Sequence, residues 1–373
     1  MKKRFNIFKI LGFQISLDYS WFIIFALIIW TLSAGYFPRL YPNLDRSTYL
    51  IMGVIAAVLL FISVLFHELS HSYVARSVGI GIKGITLFIF GGLAQLTQEP
   101  DKASKELKVA VAGPLASIFF ALFLKLLTFI PTWIISFELS AVFEYVAMLN
   151  LILAIFNLIP GFPLDGGRIL RAIIWERTKN LRRATDIASK VGKIFAFLLI
   201  IFGIFSIFYG SFIAGLWYIF IGIFLHQAAD ISYRQVAYKD MLTGVAVADL
   251  MSQNVITVDE DISAQELVNK YFFRYRYDIF PVVSGDILRG VVSLDEVKEV
   301  PREKWDTVTA GEIMTPVSEG IILHPEDDAV DALMKMVKDG MGRLPVVSKG
   351  YLVGILTRRD IMDLLKIKTD LGE

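Results

Sequence analysis

The sequence predicts an α-helical polytopic membrane domain of six transmembrane helices with a short β segment at the membrane edge, followed by a cytoplasmic α/β domain. Three observations carry that reading. Hydrophobic residues make up 55% of the 373, above the usual share for a soluble protein. A net charge of +1 hides a partition: residues 1–239 hold 22 Lys/Arg against 12 Asp/Glu, and residues 240–373 hold 15 against 24. The long apolar runs all lie in the first, basic part, and the acidic part carries an internal repeat. That acidity argues against nucleic acid as a partner.

Six runs, near 19–35, 48–75, 108–129, 139–160, 190–209 and 212–228, are candidate spans. Each is near the ~20 residues that cross a ~30 Å hydrocarbon core. With the N-terminus inside, segments 1–10, 76–108 and 161–193 hold four, five and eight Lys/Arg. The outside segments 35–47, 130–138 and 210–211 hold two, Arg39 and Arg46. This bias follows the positive-inside rule, so a multi-pass cell-membrane protein with both termini cytoplasmic is expected. Met1-Lys2-Lys3-Arg4 is a basic start, but no small-residue cleavage site follows the first apolar run. That run reads as a retained helix.

The second span holds eighteen apolar or small residues, Tyr49 to Phe66, and passes directly into His67-Glu68-Leu69-Ser70-His71. A helix from Thr48 to Val78 is roughly 45 Å long, more than a bilayer core, so it tilts or emerges on the inner side. Residues 81–97 are too short for a span, rich in β-branched and aromatic residues, and broken by Gly91-Gly92. They predict a strand or hairpin whose backbone is paired at the membrane edge. Gly113-Pro114 interrupts the third span, and Asn150 and Asn157 sit in the fourth. Polar and helix-breaking residues at depth need protein partners or a water-filled cavity.

Residues four apart share a helix face, so His67 and His71 can present both imidazoles to one metal ion. Glu68 lies about 100° around the helix and reaches a metal-bound water without being a ligand. Zinc lowers the pKa of such a water to about 7. With no cysteine in the chain, any metal takes N and O donors. A catalytic zinc needs a third protein ligand and an open position. Asp165, the only acidic residue between Glu144 and Glu176, is the candidate; it also reads as a cap for a helix starting near Gly166. The prolines around it prevent a regular helix and the glycines allow close backbone approach. His226 reads as interfacial and His324 as a helix start before Pro325-Glu326-Asp327-Asp328.

In the acidic part, Ala248-Asp249-Leu250-Met251 echoes Gly311-Glu312-Ile313-Met314, and Phe280-Pro281-Val282-Val283-Ser284 echoes Leu344-Pro345-Val346-Val347-Ser348. Gly290-Val291-Val292-Ser293-Leu294-Asp295-Glu296 echoes Gly354-Ile355-Leu356-Thr357-Arg358-Arg359-Asp360. Each copy reads as strand, helix, strand, strand, helix, and two copies packed together make a compact α/β module. The expected boundaries are a membrane domain over 1–230, a linker over 231–245, and two repeats over 246–302 and 303–373.

His67-Glu68-Leu69-Ser70-His71, Gly113-Pro114 and Asn157…Pro163-Leu164-Asp165-Gly166-Gly167 together resemble the site-2 protease family of intramembrane zinc metalloproteases, over about residues 10–228. The resemblance implies one catalytic Zn2+ held by His67, His71 and Asp165, with Glu68 as catalytic base. It implies a transmembrane protein as substrate, cleaved within the lipid bilayer near its cytoplasmic side. It further implies that Phe90-Gly91-Gly92 belongs to a strand-like element that receives the unwound substrate. Asn157 then steadies substrate or oxyanion, although a helix–helix hydrogen bond fits that residue as well. The family often has Asn a few residues after Gly-Pro; here Ser117 stands nearby, with no role assigned.

The repeat resembles a pair of CBS domains. Thr357-x-x-Asp360 matches their ribose-contacting pattern, and Ser293-x-x-Glu296 departs from it by carrying Glu where Asp is usual. The resemblance implies an adenine nucleotide (ATP, ADP or AMP) as ligand. The residues alone also fit a purely structural module, or one that pairs two chains as a homodimer. A nucleotide-gated transporter or channel is the rival reading, because CBS pairs also hang from such proteins. It leaves Glu68 between two histidines unexplained, and the inverted-repeat hydropathy of many transporters is not evident.

Overall fold

The computed structural model describes residues 4–88, 91–96 and 100–371, so Met1, Lys2, Lys3, Phe90 and Thr97 of the readings above lie outside the described residues. The chain divides into two compact units, Met1–Val236 and Ala237–Glu373.

The first unit opens with a hairpin, of which the sequence reading marks only the basic start. Strands β1 (Arg4–Ile10) and β2 (Phe13–Asp18) pair antiparallel through Leu11 and Gly12, whose φ values of 52° and 85° are those of a tight two-residue turn. The period of two is visible in β2, where Phe13, Ile15 and Leu17 are all buried. β2 then pairs parallel with β3 (Ile82–Phe88), and β3 antiparallel with β4 (Gly91–Leu96). The expected membrane-edge segment is thus half of a four-stranded sheet, ordered β1-β2-β3-β4, with β4 at one edge.

All six expected spans are helices long and apolar enough to cross a membrane. α1 (Tyr19–Thr31) passes through a π-helical turn at Leu32–Tyr36 into α2 (Phe37–Leu40), which together make the first span. α3 (Arg46–Ser77), α4 (Ala103–Leu127) and α5 (Phe137–Asn157) follow. A short helix, α6 (Asp165–Thr178), precedes α7 (Leu181–Phe208) and α8 (Phe212–Leu242). At 32 residues α3 is about 48 Å long. Two expectations change. Pro114 does not interrupt the third span; α4 runs through it, at the cost of one backbone N–H. α8 continues to Leu242, so most of the segment read as a linker is helical.

Small residues bring these helices together. Ala56, Ala57, Ala110 and Ala154 are fully buried, and Met52, Val142 and Val146 fill the space between α3 and α5. The opposite faces are apolar too: Ile23, Phe119, Leu122 and Leu126 are each more than 60% exposed, as lipid contact requires and water would penalise.

The second unit holds α9 (Val247–Leu250), β5 (Val258–Asp259), and α10 (Ala264–Glu266) joined through a π-helical stretch to α11 (Phe273–Tyr275). β6 (Ile279–Ser284), β7 (Ile287–Ser293) and α12 (Leu294–Glu299) complete the first copy. α13 (Ala310–Ile313), β8 (Thr315–Pro316), α14 (Ala329–Asp339), β9 (Arg343–Ser348), β10 (Tyr351–Thr357) and α15 (Arg358–Leu371) form the second. The sheet order is β5-β6-β7-β10-β9, with β8 on β7. The counterpart of β5 in copy two is reduced to a single bridge, Leu323 to Val346. Phe280, Val282 and Val292 centre one core, and Leu344, Val346 and Leu356 the other.

Candidate metal centre

α3 brings His67 and His71 to one buried face, 5% and 6% exposed. The turn after α5, which contains a cis Phe162–Pro163 peptide, delivers Asp165 to them as the first residue of α6. Among the described residues Asp165 makes no capping bond; its Oδ2 faces the two rings. The three donor atoms form a nearly equilateral triangle. His67 Nε2 and His71 Nε2 are 3.2 Å apart, and Asp165 Oδ2 is 3.2 Å from His71 Nε2 and 3.3 Å from His67 Nε2. Those edges belong to a tetrahedron whose centre lies about 2.0 Å from each corner, the zinc–nitrogen and zinc–oxygen bond length. His67, His71 and Asp165 are one group able to hold a metal ion, and their chemistry fits zinc.

The outer nitrogens are fixed from α4. His71 Nδ1 lies 2.7 Å from the Val109 carbonyl, which can only accept, so Nδ1 carries the proton and a neutral ring keeps its Nε2 lone pair for a metal. His67 Nδ1 lies 2.9 Å from Ser117 Oγ. Between these contacts Gly113 passes so close that a Cβ there would overlap both Nε2 atoms. The expected significance of Gly113-Pro114 is therefore steric rather than helix-breaking.

Glu68 is half-buried, stands outside the donor triangle and makes no side-chain hydrogen bond among the described residues. It faces β4: a Cβ on Gly92 would overlap its Cγ and lie 3.1 Å from its Oε1. Gly91 has a φ of 126°, a conformation that glycine tolerates, with open space where a Cβ would be. Asn157 ends α5, half-buried, with no side-chain hydrogen bond among the described residues. The interhelical bond in this region belongs instead to Asn150, whose amide oxygen accepts from Ser63.

Sequence reasoning missed Ser117 as a partner of His67, and it missed Glu106. Glu106 is fully buried on α4 and accepts from Arg171 of α6, with Arg168 Nε 3.9 Å away. A lone acid in an apolar helix opposite an arginine-bearing one was the available signal.

In the second unit both expected nucleotide motifs start helices. Ser293 and Glu296 form a capping box at α12. Thr357 donates to Asp360 through its N–H at 2.8 Å and its hydroxyl at 2.7 Å, and Asp360 N–H returns a bond to Thr357 Oγ1. The copies differ in what remains. Glu296 spends one oxygen on Ser293 and the other on Thr315, whereas Asp360 Oδ1 accepts nothing among the described residues. Partial burial pushes the Glu296 carboxyl up, but the bonds from Ser293 and Thr315 outweigh it and hold it below the usual carboxylate range. Ser293, Glu296 and Thr315 line an open cleft of about 420 Å³ with Asp278 and Gly342. His324 donates to the Val347 carbonyl in the turn ahead of α14, and His226 is exposed on α8.

A buried two-histidine, one-carboxylate centre between spanning helices, joined to a two-copy α/β module, defines a polytopic membrane protein of metalloenzyme type. The sequence profile of Peptidase family M50 matches residues 55–134 and 132–199, and that of the CBS domain matches 247–303 and 310–367. A zinc metalloprotease of Methanocaldococcus jannaschii is 30% identical over all of this chain and all of its own. A Synechocystis sp. protein carrying a zinc-metalloprotease name is 35% identical over 98% of this chain and 96% of its own. The solved site-2 protease from Methanocaldococcus jannaschii is 30% identical, covering 62% of this chain and 96% of its own with a TM-score of 0.44. The chain belongs to peptidase family M50, the zinc metalloproteases of site-2 protease type, and carries a CBS domain pair. This membership decides for the enzyme over the transporter or channel.

Proposed function

We propose that the protein is an intramembrane zinc endopeptidase that hydrolyses peptide bonds within transmembrane segments of substrate proteins, with both termini in the cytoplasm. The observation that carries this is the donor triangle of His67, His71 and Asp165, with Glu68 beside it but outside it. Bound there, zinc supplies Lewis acidity and a water acidic enough to lose a proton near pH 7. Glu68 takes the proton of the attacking water and delivers it to the leaving amine. The two imidazoles stay neutral, and Asp165 supplies the one negative charge among the ligands.

A substrate helix satisfies its own backbone hydrogen bonds, so it must unwind before attack. β4 is the edge of its sheet on the side where Glu68 meets Gly92. A substrate segment added along that edge regains backbone hydrogen bonds beside the base. Helix-destabilising residues in the substrate therefore favour cleavage, and Asn157 is free to bind a substrate carbonyl. The CBS pair binds an adenine nucleotide and regulates cleavage.

Glu68→Gln tests the reading. The variant should purify with zinc and cleave no membrane-spanning substrate. Cleavage at the wild-type rate would sink the assignment of Glu68, and wild-type protein free of zinc would sink the metal centre.

A further inference from the structure

α3 and α4 run antiparallel in a matched register. His71 meets the Val109 carbonyl, Gly113 passes the gap between the rings, and His67 meets Ser117. Val109, Gly113 and Ser117 are spaced i, i+4, i+8, as His67 and His71 are spaced i, i+4, so one face of α4 fits the whole histidine face of α3. The two outer contacts differ in kind. A backbone carbonyl holds His71, and no side-chain substitution removes it. His67 depends on a single hydroxyl, 1% exposed, whose one hydrogen bond among the described residues is the one to His67.

We infer that Ser117 is a positioning residue of the metal centre: its oxygen accepts the Nδ1 proton of His67, and so turns the His67 Nε2 lone pair toward the position that His71 and Asp165 share. The inference rests on the metal centre proposed above. Without that acceptor, His67 has a buried N–H with no partner, and the ring gains by rotating or by changing tautomer. Either change takes Nε2 out of the triangle. Ser117 touches neither substrate nor the reacting atoms, so its effect reaches the chemistry only through His67.

Two substitutions of nearly equal shape separate hydrogen bonding from packing. Ser117→Thr keeps the hydroxyl, and Ser117→Val replaces it with a methyl group. Each full-length variant is purified in detergent and titrated with Zn2+ against a competing chelator, and the absorption spectrum of its Co2+ form is recorded. S117V should bind Zn2+ roughly 10- to 100-fold more weakly than wild type and show an altered Co2+ spectrum. S117T should stay close to wild type in both. Equal Zn2+ affinity and equal spectra for S117T and S117V would overturn the role of Ser117 while leaving the metal centre standing. Absence of Zn2+ binding by the wild type would overturn the metal centre and this inference with it. Should S117V fail to fold, Ser117→Ala removes the hydroxyl without adding bulk and takes its place in the comparison.

Discussion

Gly113 sits where two imidazoles leave no room for a methyl group. Its would-be Cβ overlaps ring nitrogens, and those rings are pinned on their far sides by Val109 and Ser117. Gly113→Ala must therefore push the rings apart rather than bend a flexible side-chain end. Overpacking of this kind costs about 1–3 kcal/mol of stability. The larger loss falls on the metal, since the donor triangle has edges of only 3.2–3.3 Å. The prediction is that G113A folds and carries little zinc, read from the zinc-to-protein ratio after purification. One zinc per chain in that variant would contradict the close approach. At this scale the sequence was legible where chemistry and periodicity coincide: His67 and His71 are four apart on an apolar helix, and Asp165 is the only acid between Glu144 and Glu176. Ser117 was not legible, because a serine in a membrane helix looks the same whether it bonds its own backbone or a histidine on the next helix. Only the register of α4 on α3 tells them apart.

Asp165 is the first residue of α6, so whatever holds α6 against α4 also holds the third donor in place. Glu106 and Arg171 do this from the buried side, and the Arg171 guanidinium also lies over the Phe162 ring at 4.9 Å, in the turn that leads into Asp165. Removing one partner strands a buried charge, at a cost of about 3–5 kcal/mol, whereas replacing both with apolar groups is often close to neutral. Arg171→Met should therefore destabilise the protein by about that much in denaturant unfolding in detergent, and weaken zinc retention alongside. Glu106→Leu combined with Arg171→Met should recover most of the loss. A double variant as unstable as the single one would mean that the pair does more than neutralise itself. The elements themselves were mostly legible, because a transmembrane helix declares itself by length and apolarity. The β1–β2 hairpin did not. Phe13-Gln14-Ile15-Ser16-Leu17 alternates as a strand should, but one of its two partners is β3, more than sixty residues later, and the alternation was overshadowed by the basic residues before it. Pro114 misled in the opposite direction, since packing against α3 and α5 keeps α4 helical through a residue whose local preference is to break it.

At the scale of the molecule, a basic membrane unit and an acidic α/β unit share one chain, and the second has two related motifs that are not equivalent. Glu296 reaches both Ser293 and Thr315, so both oxygens of its carboxylate are already engaged within the protein. Asp360 is shorter by one methylene and binds only within its own capping box, which leaves Oδ1 to accept. The sequence already marked Glu296 as a departure, but only the bond to Thr315, from across the repeat, shows what the longer side chain does. The proposed nucleotide regulation then takes a definite form: one adenine nucleotide per chain, held through the second motif. Calorimetric titration of the detergent-purified full chain with ATP, ADP and AMP should give a single site. Asp360→Ala should weaken it by about tenfold or more, the effect of losing a hydrogen bond to a charged group, worth about 1.5–3 kcal/mol. Glu296→Ala should leave nucleotide affinity nearly unchanged and instead lower the unfolding temperature, because it removes a capping box and the tie to Thr315. If cleavage responds to a nucleotide, D360A should lose that response while its zinc content and basal rate stay at the wild-type level. Two sites per chain, or a response that survives D360A and disappears in E296A, would reverse the assignment and place the regulatory ligand in the cleft beside Ser293.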